Sequence, residues 1–336
     1  MIVDAHNDLL VEVFHFRHEE HPFRERWLDQ LRRGGVRLQV CPASVEVDEL
    51  PEFGLRRSLT QIAECHRAAA DNARDVLLVR DAADLETALA DGRIGLLLSM
   101  EGAEPLGYDT ALADLFWLLG VRMFALTWNR RNPFADGLGE ANDGGLSTLG
   151  RELVDRLAGL GMILDLAHAS RHTFFEVLER APHSPVVVSH ACCRAVYDVP
   201  RNLSDDQLRA LRDHGGVLAV MGVPLTVDQE APSLGRVVDH IDHAVEVMGI
   251  DHVGIGADFM AQIVASGAEP AVQAGALMPD GMSCGAAVPG FSGPADYVAL
   301  IEAMQARGYA GDTLEAILSG NLLRVIRQAL AANEPQ

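Results

Sequence analysis

The chain begins Met-Ile-Val-Asp-Ala-His-Asn-Asp-Leu-Leu (residues 1–10), in which a short apolar run leads directly into an imidazole and a carboxylate. If residues 2–5 form a strand, the alternation of side chains sends His6 and Asp8 to the same side. At the end of a barrel strand that side is the mouth of the barrel, where both groups can bind one divalent metal. A His-x-Asp pair alone is usually structural, so the hypothesis depends on similar residues further along the chain.

Seven further apolar runs follow, and each is typical of a buried parallel strand. The eight runs are Ile2–Ala5, Val36–Pro42, Ile94–Met100, Met123–Thr127, Met162–Leu166, Val186–Ser189, Val217–Met221 and Val253–Ala257. Apolar residues at helical spacing predict helices over 55–73, 83–89, 111–119, 148–160, 171–180, 204–213 and 234–248. Strand and helix in regular alternation predict an α/β fold, a (β/α)8 TIM barrel that forms a single domain over residues 1–336.

The segment between the first two runs, residues 12–33, departs from this alternation. It is charged and contains three histidines, His15, His18 and His21. The triplet allows a metal-site interpretation, but a solvated helical segment after the first strand is strongly favoured.

The C-terminal part of the chain also departs from the alternation of strands and helices. Residues 262–294, after the eighth strand, form a long loop rich in glycine and proline. A loop of this length at the catalytic face of a barrel is more typical of a lid or a substrate wall than of disorder. Two closing helical segments are predicted, over 295–307 and 312–331, with an interruption at Gly320 and Asn321.

Composition excludes several classes of function. The net charge of −21 argues against nucleic acid or an anionic membrane as a partner, because both require a cationic surface. Five cysteines without a Cys-x-x-Cys pair argue against a disulfide framework. No secretory signal and no apolar run of 18 residues is found, so a cytoplasmic location is expected.

Metal-competent side chains follow five of the eight runs, at the point where each run stops. They are His6, Asp8, Glu101, His168, His190 and Asp258. In a barrel the C-terminal strand ends carry the chemistry, so these residues are predicted to meet at one mouth. Any one of them could be structural, whereas their joint placement at five strand ends favours a metal site.

Three histidines and three carboxylates exceed the roughly three protein ligands that one catalytic zinc takes, and they suit two metals. Glu101 is the expected bridge, with His6 and Asp8 on one ion and His168 and His190 on the other. A water held between the ions would lose a proton near neutral pH and attack the substrate. Asp258 is then expected to act as general base and general acid.

Motifs along nearly the whole chain resemble those of a known family. They are Asp4-Ala-His-Asn-Asp8, Glu101-Gly102, Leu126-Thr127 with Asn132-Pro-Phe-Ala-Asp136, Asp165-Leu-Ala-His-Ala-Ser170, Ser189-His190, Arg201-Asn-Leu203, Gly254-Ile-Gly-Ala-Asp-Phe259 and Gly320-Asn-Leu-Leu-Arg-Val325. The family is the membrane dipeptidase (renal dipeptidase) family of zinc metallopeptidases, in the amidohydrolase-like barrel superfamily. The resemblance implies two zinc ions held as assigned above, Asp258 as the proton-transfer residue and hydrolysis of dipeptides that end in an L or a D residue.

The resemblance also concerns the substrate. It implies that Arg201 binds the terminal carboxylate of the dipeptide, which suits the planar fork of a guanidinium. Asn132 and Trp128 are taken as further substrate-binding residues. Trp128 stands where mammalian members have a histidine, so a polar group that could stabilise the developing oxyanion is missing. A soluble bacterial-type member, with a homodimer as one oligomeric state that the family allows, is expected.

Two other functions stay open. The same metal site could hydrolyse another small amide such as an N-acyl amino acid, which Trp128 and the long loop at 262–294 motivate. The barrel could also bind metal or ligand without catalysis, although the presence of all six site residues argues against this.

Some nearby residues allow two interpretations. Asp165 precedes His168 on the same run and is equally consistent with an outer partner of the site or a carboxylate at the core edge. Cys192 and Cys193 could be soft metal ligands, but small buried side chains are favoured. His172 and His183 are expected to be structural.

Overall fold

Nine parallel strands form one sheet in the computed structural model, which describes residues 1–268 and 286–331. They are β1 (Ile2–Asp4), β2 (Val36–Ala43), β3 (Val76–Leu78), β4 (Ile94–Glu101), β5 (Val121–Ala125), β6 (Ile163–Asp165), β7 (Val186–Ala191), β8 (Val217–Val220) and β9 (Val253–Ile255). Each of the eight predicted runs overlaps one strand. The ninth strand, β3, was not predicted.

Closure of the sheet makes it a barrel. The strands follow the order β1-β2-β4-β5-β6-β7-β8-β9, and β9 pairs with β1 through Asp4 and Ile255. One edge of β4 pairs with β2, and its other edge pairs with β3 near its start and with β5 near its end. The predicted (β/α)8 barrel is therefore confirmed, with β3 as an addition outside the ring of eight.

Helices surround the barrel, and most of them lie where the sequence predicts helical segments. They are α1 (Leu9–His15), α2 (Asp29–Arg33), α3 (Gly54–Asp71), α4 (Ala82–Asp91), α5 (Leu112–Leu118), α6 (Thr148–Gly159), α7 (Arg171–Arg180), α8 (Asp205–Asp213), α9 (Pro224–Val227), α10 (Leu234–Met248), α11 (Met260–Ala265), α12 (Tyr297–Arg307), α13 (Gly311–Glu315) and α14 (Asn321–Ala331). Two short helices, over Pro224–Val227 and Met260–Ala265, were not predicted. Side-chain caps begin several of them; the hydroxyl of Ser170, for example, accepts a hydrogen bond from the Thr173 amide. The expected interruption at Gly320 is wrong, because a π-helical turn over Ala316–Gly320 joins α13 to α14.

Two apolar cores hold the barrel together. Strand residues such as Val3, Leu97 and Ala219 fill the interior and pack against Leu322 and Ile326 of α14, which closes the bottom of the barrel. The larger core lies between the strands and the outer helices. The mouth at the opposite end is therefore the place where polar side chains can collect without disturbing the packed interior.

The segment between β1 and β2 differs from its prediction. It is helical, as expected, but it is not simply solvated, because Phe23, Trp27 and Leu31 are buried. His15 and His18 are exposed, and the metal-competent groups among the described residues do not include them. The inner face of this segment is thus part of the outer core.

Only the two ends of the predicted loop at 262–294 belong to the described part of the chain. It begins with the end of α11 and closes with a bridge between Val288 and Phe291 and a turn over Pro294–Asp296. Residues 269–285 lie outside the described part of the chain. Within the described residues, no helix has the length and apolar character that a bilayer span requires.

A buried histidine fastens the segment that follows β7. His240, on α10, accepts a hydrogen bond at Nδ1 from the Cys193 amide (3.1 Å), and its Nε2 donates to the Val227 carbonyl (2.9 Å). Both nitrogens are occupied in the neutral ring, and burial lowers the pKa of His240 from 6.5 to about 4. Protonation would place a second proton at Nδ1 and break the contact with Cys193.

This geometry predicts acid-sensitive stability. Between pH 6.5 and 4 the unfolded chain binds a proton at His240 that the folded chain does not, so the free energy of unfolding falls as the pH falls. We expect the wild type to lose about 2–3 kcal/mol more than His240→Gln between pH 7 and 4.5, measured by urea unfolding. Equal losses in the two proteins would contradict the prediction.

Candidate metal centre

Five strand ends bring the six predicted site residues together at the barrel mouth. The group comprises His6 and Asp8 after β1, Glu101 at the end of β4, His168 after β6, His190 within β7 and Asp258 after β9. We call these six residues the mouth cluster. All of them are less than a tenth exposed.

Glu101 lies at the centre of the mouth cluster. One of its oxygens, Oε1, lies 3.0 Å from His168 Nε2, 3.4 Å from His190 Nε2 and 3.7 Å from His6 Nε2. The Nε2 atoms of His168 and His190 are 2.8 Å apart, and the rings of His6 and His190 stack with centroids 3.6 Å apart. A single carboxylate thus faces the ring nitrogens of all three histidines.

The second part of the mouth cluster lies on the β1 side. His6 Nε2 is 3.5 Å from Asp8 Oδ1 and 4.0 Å from Asp258 Oδ1. The ligand atoms therefore form two overlapping groups, one with His6, Glu101 and His190 and the other with His6, Asp8 and Asp258.

The pleat of β4 explains why Glu101 points into the mouth. Leu97 belongs to the barrel interior, whereas Leu96 and Leu98 belong to the outer core. Side chains alternate along a strand, so Glu101, four residues after Leu97, faces the interior at the end of β4. Gly102 then turns the chain with a φ of +94°, and a β-carbon there would meet the side chain of Glu104.

Backbone strain accompanies two members of the mouth cluster. His168 and Asp258 have φ values of 62° and 56°, in the left-handed region that side chains other than glycine rarely occupy. Gly256, just before Asp258, is in contact with the Ser189 carbonyl, and a β-carbon would not fit there. Strain of this kind is typical of functional sites, where the surrounding structure imposes it.

Hydrogen bonds behind the mouth cluster fix two of its rings. Nδ1 of His168 donates to Asn129 Oδ1 at 2.6 Å, and Nδ1 of His190 lies 2.8 Å from the Ser189 hydroxyl. With Nδ1 occupied, Nε2 of His168 is left without a proton and faces the site, as in a metal ligand.

Two further aspartates hold the strand ends. Asp4 Oδ1 accepts hydrogen bonds from the amides of His6 and Ala257, and burial raises the pKa of Asp4 to about 6. Asp165 Oδ1 accepts from the amides of Ala167 and Ser189, each at 3.0 Å. Asp165 therefore joins the ends of β6 and β7, which decides between its two interpretations: it is an outer partner that acts through the backbone.

Burial and neighbouring charges shift the pKa values of several side chains in the mouth cluster. Burial alone would lower the pKa of His6, but the three carboxylates of the cluster outweigh it and raise that pKa to about 10. Burial lowers the pKa of His168 and of His190 well below the usual value. It raises the pKa of Glu101 far above the usual value and that of Asp258 to about 7.

The residues present fit a metal. His6 Nε2, Asp8 Oδ1 and Asp258 Oδ1 are buried and have no hydrogen-bond partner, which is costly for polar atoms unless a cation satisfies them. Ligands about 2.1 Å from a tetrahedral zinc lie roughly 3.4 Å apart, and the donor pairs around Glu101 span 3.0 to 3.7 Å. Imidazole and carboxylate together suit zinc and related divalent ions.

Arg201 lies beside the mouth cluster. Its Nη2 donates to the His190 carbonyl at 2.7 Å and lies 3.1 Å from His168 Nε2. It is only 9% exposed, and burial lowers its pKa. Among the residues described, no carboxylate lies within ion-pair distance of this buried cation.

A narrow cleft opens from the mouth cluster toward the segment that follows β2. Its lining comprises Asp8, Ser44, Val45, Glu46, Glu101, Trp128 and Arg130, and we call it the side cleft. Trp128 also lies over His168, with ring centroids 5.7 Å apart. Trp128 therefore borders both the side cleft and His168.

The side chain of Asn132 is hydrogen-bonded to the backbone around it. Its Nδ2 donates to the Leu126 carbonyl at 2.7 Å, and its Oδ1 accepts from the amides of Phe134 and Ala135. The amide holds the turn after β5, and the expectation that Asn132 binds substrate stays a prediction. The thiols of Cys192 and Cys193 are buried, contact carbonyl oxygens and do not belong to the metal-competent groups of the described residues.

Comparison with known proteins agrees with this geometry. The family model of the membrane dipeptidases, peptidase family M19, matches residues 1–279. The chain belongs to the membrane dipeptidase family. Human Dipeptidase 3 is 31% identical to this family member over 99% of the chain, and the chain spans 66% of that relative's length.

Solved structures share the barrel of this membrane dipeptidase family member. An amidohydrolase from Pseudomonas aeruginosa is 25% identical, with a TM-score of 0.78 over 92% of this chain and 93% of that one. A metallopeptidase from Rhodobacter sphaeroides, liganded with a phosphinate mimic of the dipeptide L-Ala-D-Ala, has a TM-score of 0.81 at 24% identity. That match covers 98% of this chain and 99% of the other, and at this identity it shows the fold alone.

Sequence reasoning missed several residues that shape the site. Asn129, which orients His168, carries no signal beyond its place two residues after Leu126-Thr127. Glu46 and Arg130 line the side cleft but follow strand ends without any metal-ligand pattern. Their functions depend on neighbours that are distant in sequence.

The strain at Asp258 gives a stability prediction. Asp258→Gly relieves the left-handed conformation, whereas Asp258→Ala keeps it, so we expect the glycine variant to be about 1 kcal/mol more stable. The same pair of substitutions at exposed Asp312, within α13, should show the opposite order, because glycine weakens a helix. Urea unfolding of the metal-free proteins measures both differences, and an alanine variant that is the more stable at position 258 would refute the argument.

Proposed function

We propose that this protein is a metal-dependent dipeptidase that hydrolyses the peptide bond of L,L and L,D dipeptides. The observation that carries the proposal is the conjunction of the mouth cluster with the buried Arg201. Membership of the membrane dipeptidase family supports it.

Arg201 is proposed to bind the C-terminal carboxylate of the substrate. A buried cation is costly unless an anion accompanies it, and the described residues offer Arg201 none within 4 Å. A guanidinium binds a carboxylate through two parallel hydrogen bonds. Its contact with His168 would set the carboxylate beside the metal ligands, with the peptide bond over Glu101.

Two zinc ions are proposed as the cofactor. His6, Asp8 and Glu101 would hold one ion, and Glu101, His168 and His190 would hold the other. When bound, such ions polarise a carbonyl oxygen and lower the pKa of water to near neutrality. The excess of buried carboxylates over cations in the mouth cluster supports more than one ion, because each ion offsets charge that the protein leaves uncompensated.

Asp258 is proposed to move the proton. Its Oδ1 is buried, lacks a hydrogen-bond partner and faces His6 at 4.0 Å. There it can take a proton from the attacking water and deliver it to the nitrogen of the amine that leaves as the carbon–nitrogen bond breaks. A buried carboxylate oxygen without a hydrogen-bond partner is free to accept the proton and pass it on.

Hydrolysis of N-acyl amino acids at the same site is the second candidate. The indole of Trp128 in the side cleft favours it, because an acyl chain can pack on an aromatic face. Such substrates keep the carboxylate for Arg201 and lack only the free amine.

A reconstituted activity screen tests the proposed function. The zinc-loaded protein should contain about two ions per chain and cleave members of a panel of L,L and L,D dipeptides. Asp258→Asn should retain the metal and lose roughly 100- to 10,000-fold in kcat, since only proton transfer is removed. Turnover of N-acyl amino acids alone would select the second candidate, and absence of metal binding would refute the assignment of the mouth cluster.

The proposed role of Arg201 has a separate test. Arg201→Met should lower kcat/KM for dipeptides by roughly 100-fold or more, because the substrate carboxylate would be desolvated without a partner. Dipeptide amides lack that carboxylate and should be affected far less by the substitution. Equal losses on dipeptides and their amides would show that Arg201 only maintains the structure.

A further inference from the structure

Glu46 is a carboxylate of the side cleft with no assigned role. It follows β2, which lies in the barrel between β1 and β4, the strands that carry His6, Asp8 and Glu101. Its side chain is half-buried, and it faces the same cleft as Glu101 and Trp128. The position puts an anionic group next to the proposed metal ligands but outside their set.

The backbone around Glu46 is held firmly. The amide and carbonyl of Ser44 bond to the side chain of buried Gln61 on α3, at 2.9 and 3.1 Å. The amide of Glu46 donates to Glu49 Oε2 at 3.1 Å, and the Glu46 carboxylate caps the turn over Val47–Glu49 in return. A fixed backbone suits a group that must present its charge at one place.

The cations near Glu46 are engaged elsewhere. Arg130 Nε lies 3.1 Å from Oε1 of buried Glu104, and its Nη2 donates to the Val45 carbonyl. Arg57 pairs with Glu49 at 3.0 Å. In the part of the chain that the structure describes, no arginine or histidine nitrogen lies within 4 Å of the Glu46 carboxylate. Burial and then the charge of Asp8 raise the pKa of Glu46, as expected for an anion that lacks a close cation.

The barrel order places Glu46 and Arg201 on opposite sides of the mouth. Glu46 follows β2 and Arg201 follows β7, and three strands separate these two in either direction around the ring of eight. Arg201 contacts His168, which contacts Glu101, and Glu101 shares the side cleft with Glu46. The cation of Arg201, the mouth cluster and the anion of Glu46 therefore lie in this order across the mouth.

We propose that Glu46 binds the free α-ammonium group of the substrate's N-terminal residue and so selects dipeptides over N-acylated amino acids. A dipeptide at neutral pH carries a cation and an anion at its two ends, in the polarity that Glu46 and Arg201 complement. An N-acyl group brings no charge and would cover the Glu46 carboxylate without supplying a cation, which disfavours it. The inference rests on the proposed function, since it assumes that Arg201 takes the opposite end.

Glu46→Gln tests the proposal on the zinc-loaded protein by two measurements. The first is kcat/KM for a dipeptide and for its N-acetyl derivative. The second is the affinity, by calorimetry, for a phosphinate dipeptide mimic with its amine free or acetylated. We expect the wild type to prefer the free amine by roughly 10- to 100-fold in both, and Glu46→Gln to remove most of that preference. Glu52→Gln is the matched control, because the Glu52 side chain is exposed and does not line the side cleft, so the preference should be unchanged.

The outcomes separate the two hypotheses. A wild type that binds the free-amine mimic preferentially but turns over no dipeptide would refute the proposed function and leave the role of Glu46 intact. A wild type without the preference, or a Glu46→Gln variant that retains it, would overturn the role of Glu46 even if dipeptides are cleaved. A variant that weakens both forms of the mimic equally would also overturn it, because a purely structural function has that effect.

Discussion

Burial of three carboxylates beside three imidazoles at one barrel mouth is the constraint on which the rest of this structure depends. Asp8, Glu101 and Asp258 approach His6 so closely that they hold its pKa near 10, while burial pushes the pKa of Glu101 upward. Such a group is unstable unless cations accompany it. Arg201 lies beside the cluster, and Arg130 lines the side cleft but pairs with Glu104. The remaining excess of negative charge is what a metal-binding barrel is expected to leave.

Rigid surroundings keep this unfavourable arrangement in place. The packed interior and α14 fix the strands from below, and the carboxylates of Asp4 and Asp165 fasten neighbouring strand ends through backbone amides. The same surroundings hold His168 and Asp258 in left-handed conformations. The conformation of the mouth therefore lowers the stability of the fold, and the packing of the two apolar cores offsets this loss.

The residues proposed to contact substrate are physically tied to the mouth cluster. Trp128 lies over His168, and its neighbour Asn129 holds Nδ1 of the same ring. Arg201 contacts His168 Nε2 and the His190 carbonyl. A change in these residues is therefore expected to disturb the metal-competent side chains as well, whereas Glu46 is held by its own turn on β2's side of the side cleft.

The sequence by itself determined the barrel and its reactive end. Short apolar runs alternating with helical periodicity identify the eight barrel strands, and parallel strands present their C-terminal ends at one mouth, so six residues could be assigned to one place. Only the tertiary structure decided what local pattern does not encode. The side-chain amide of Asn132 hydrogen-bonds within a turn, and the side chain of Asn129 orients His168. Glu46 lacks a close cation because Arg130 pairs with Glu104. Each of these depends on partners brought together by folding, and no periodicity in the chain records such a contact.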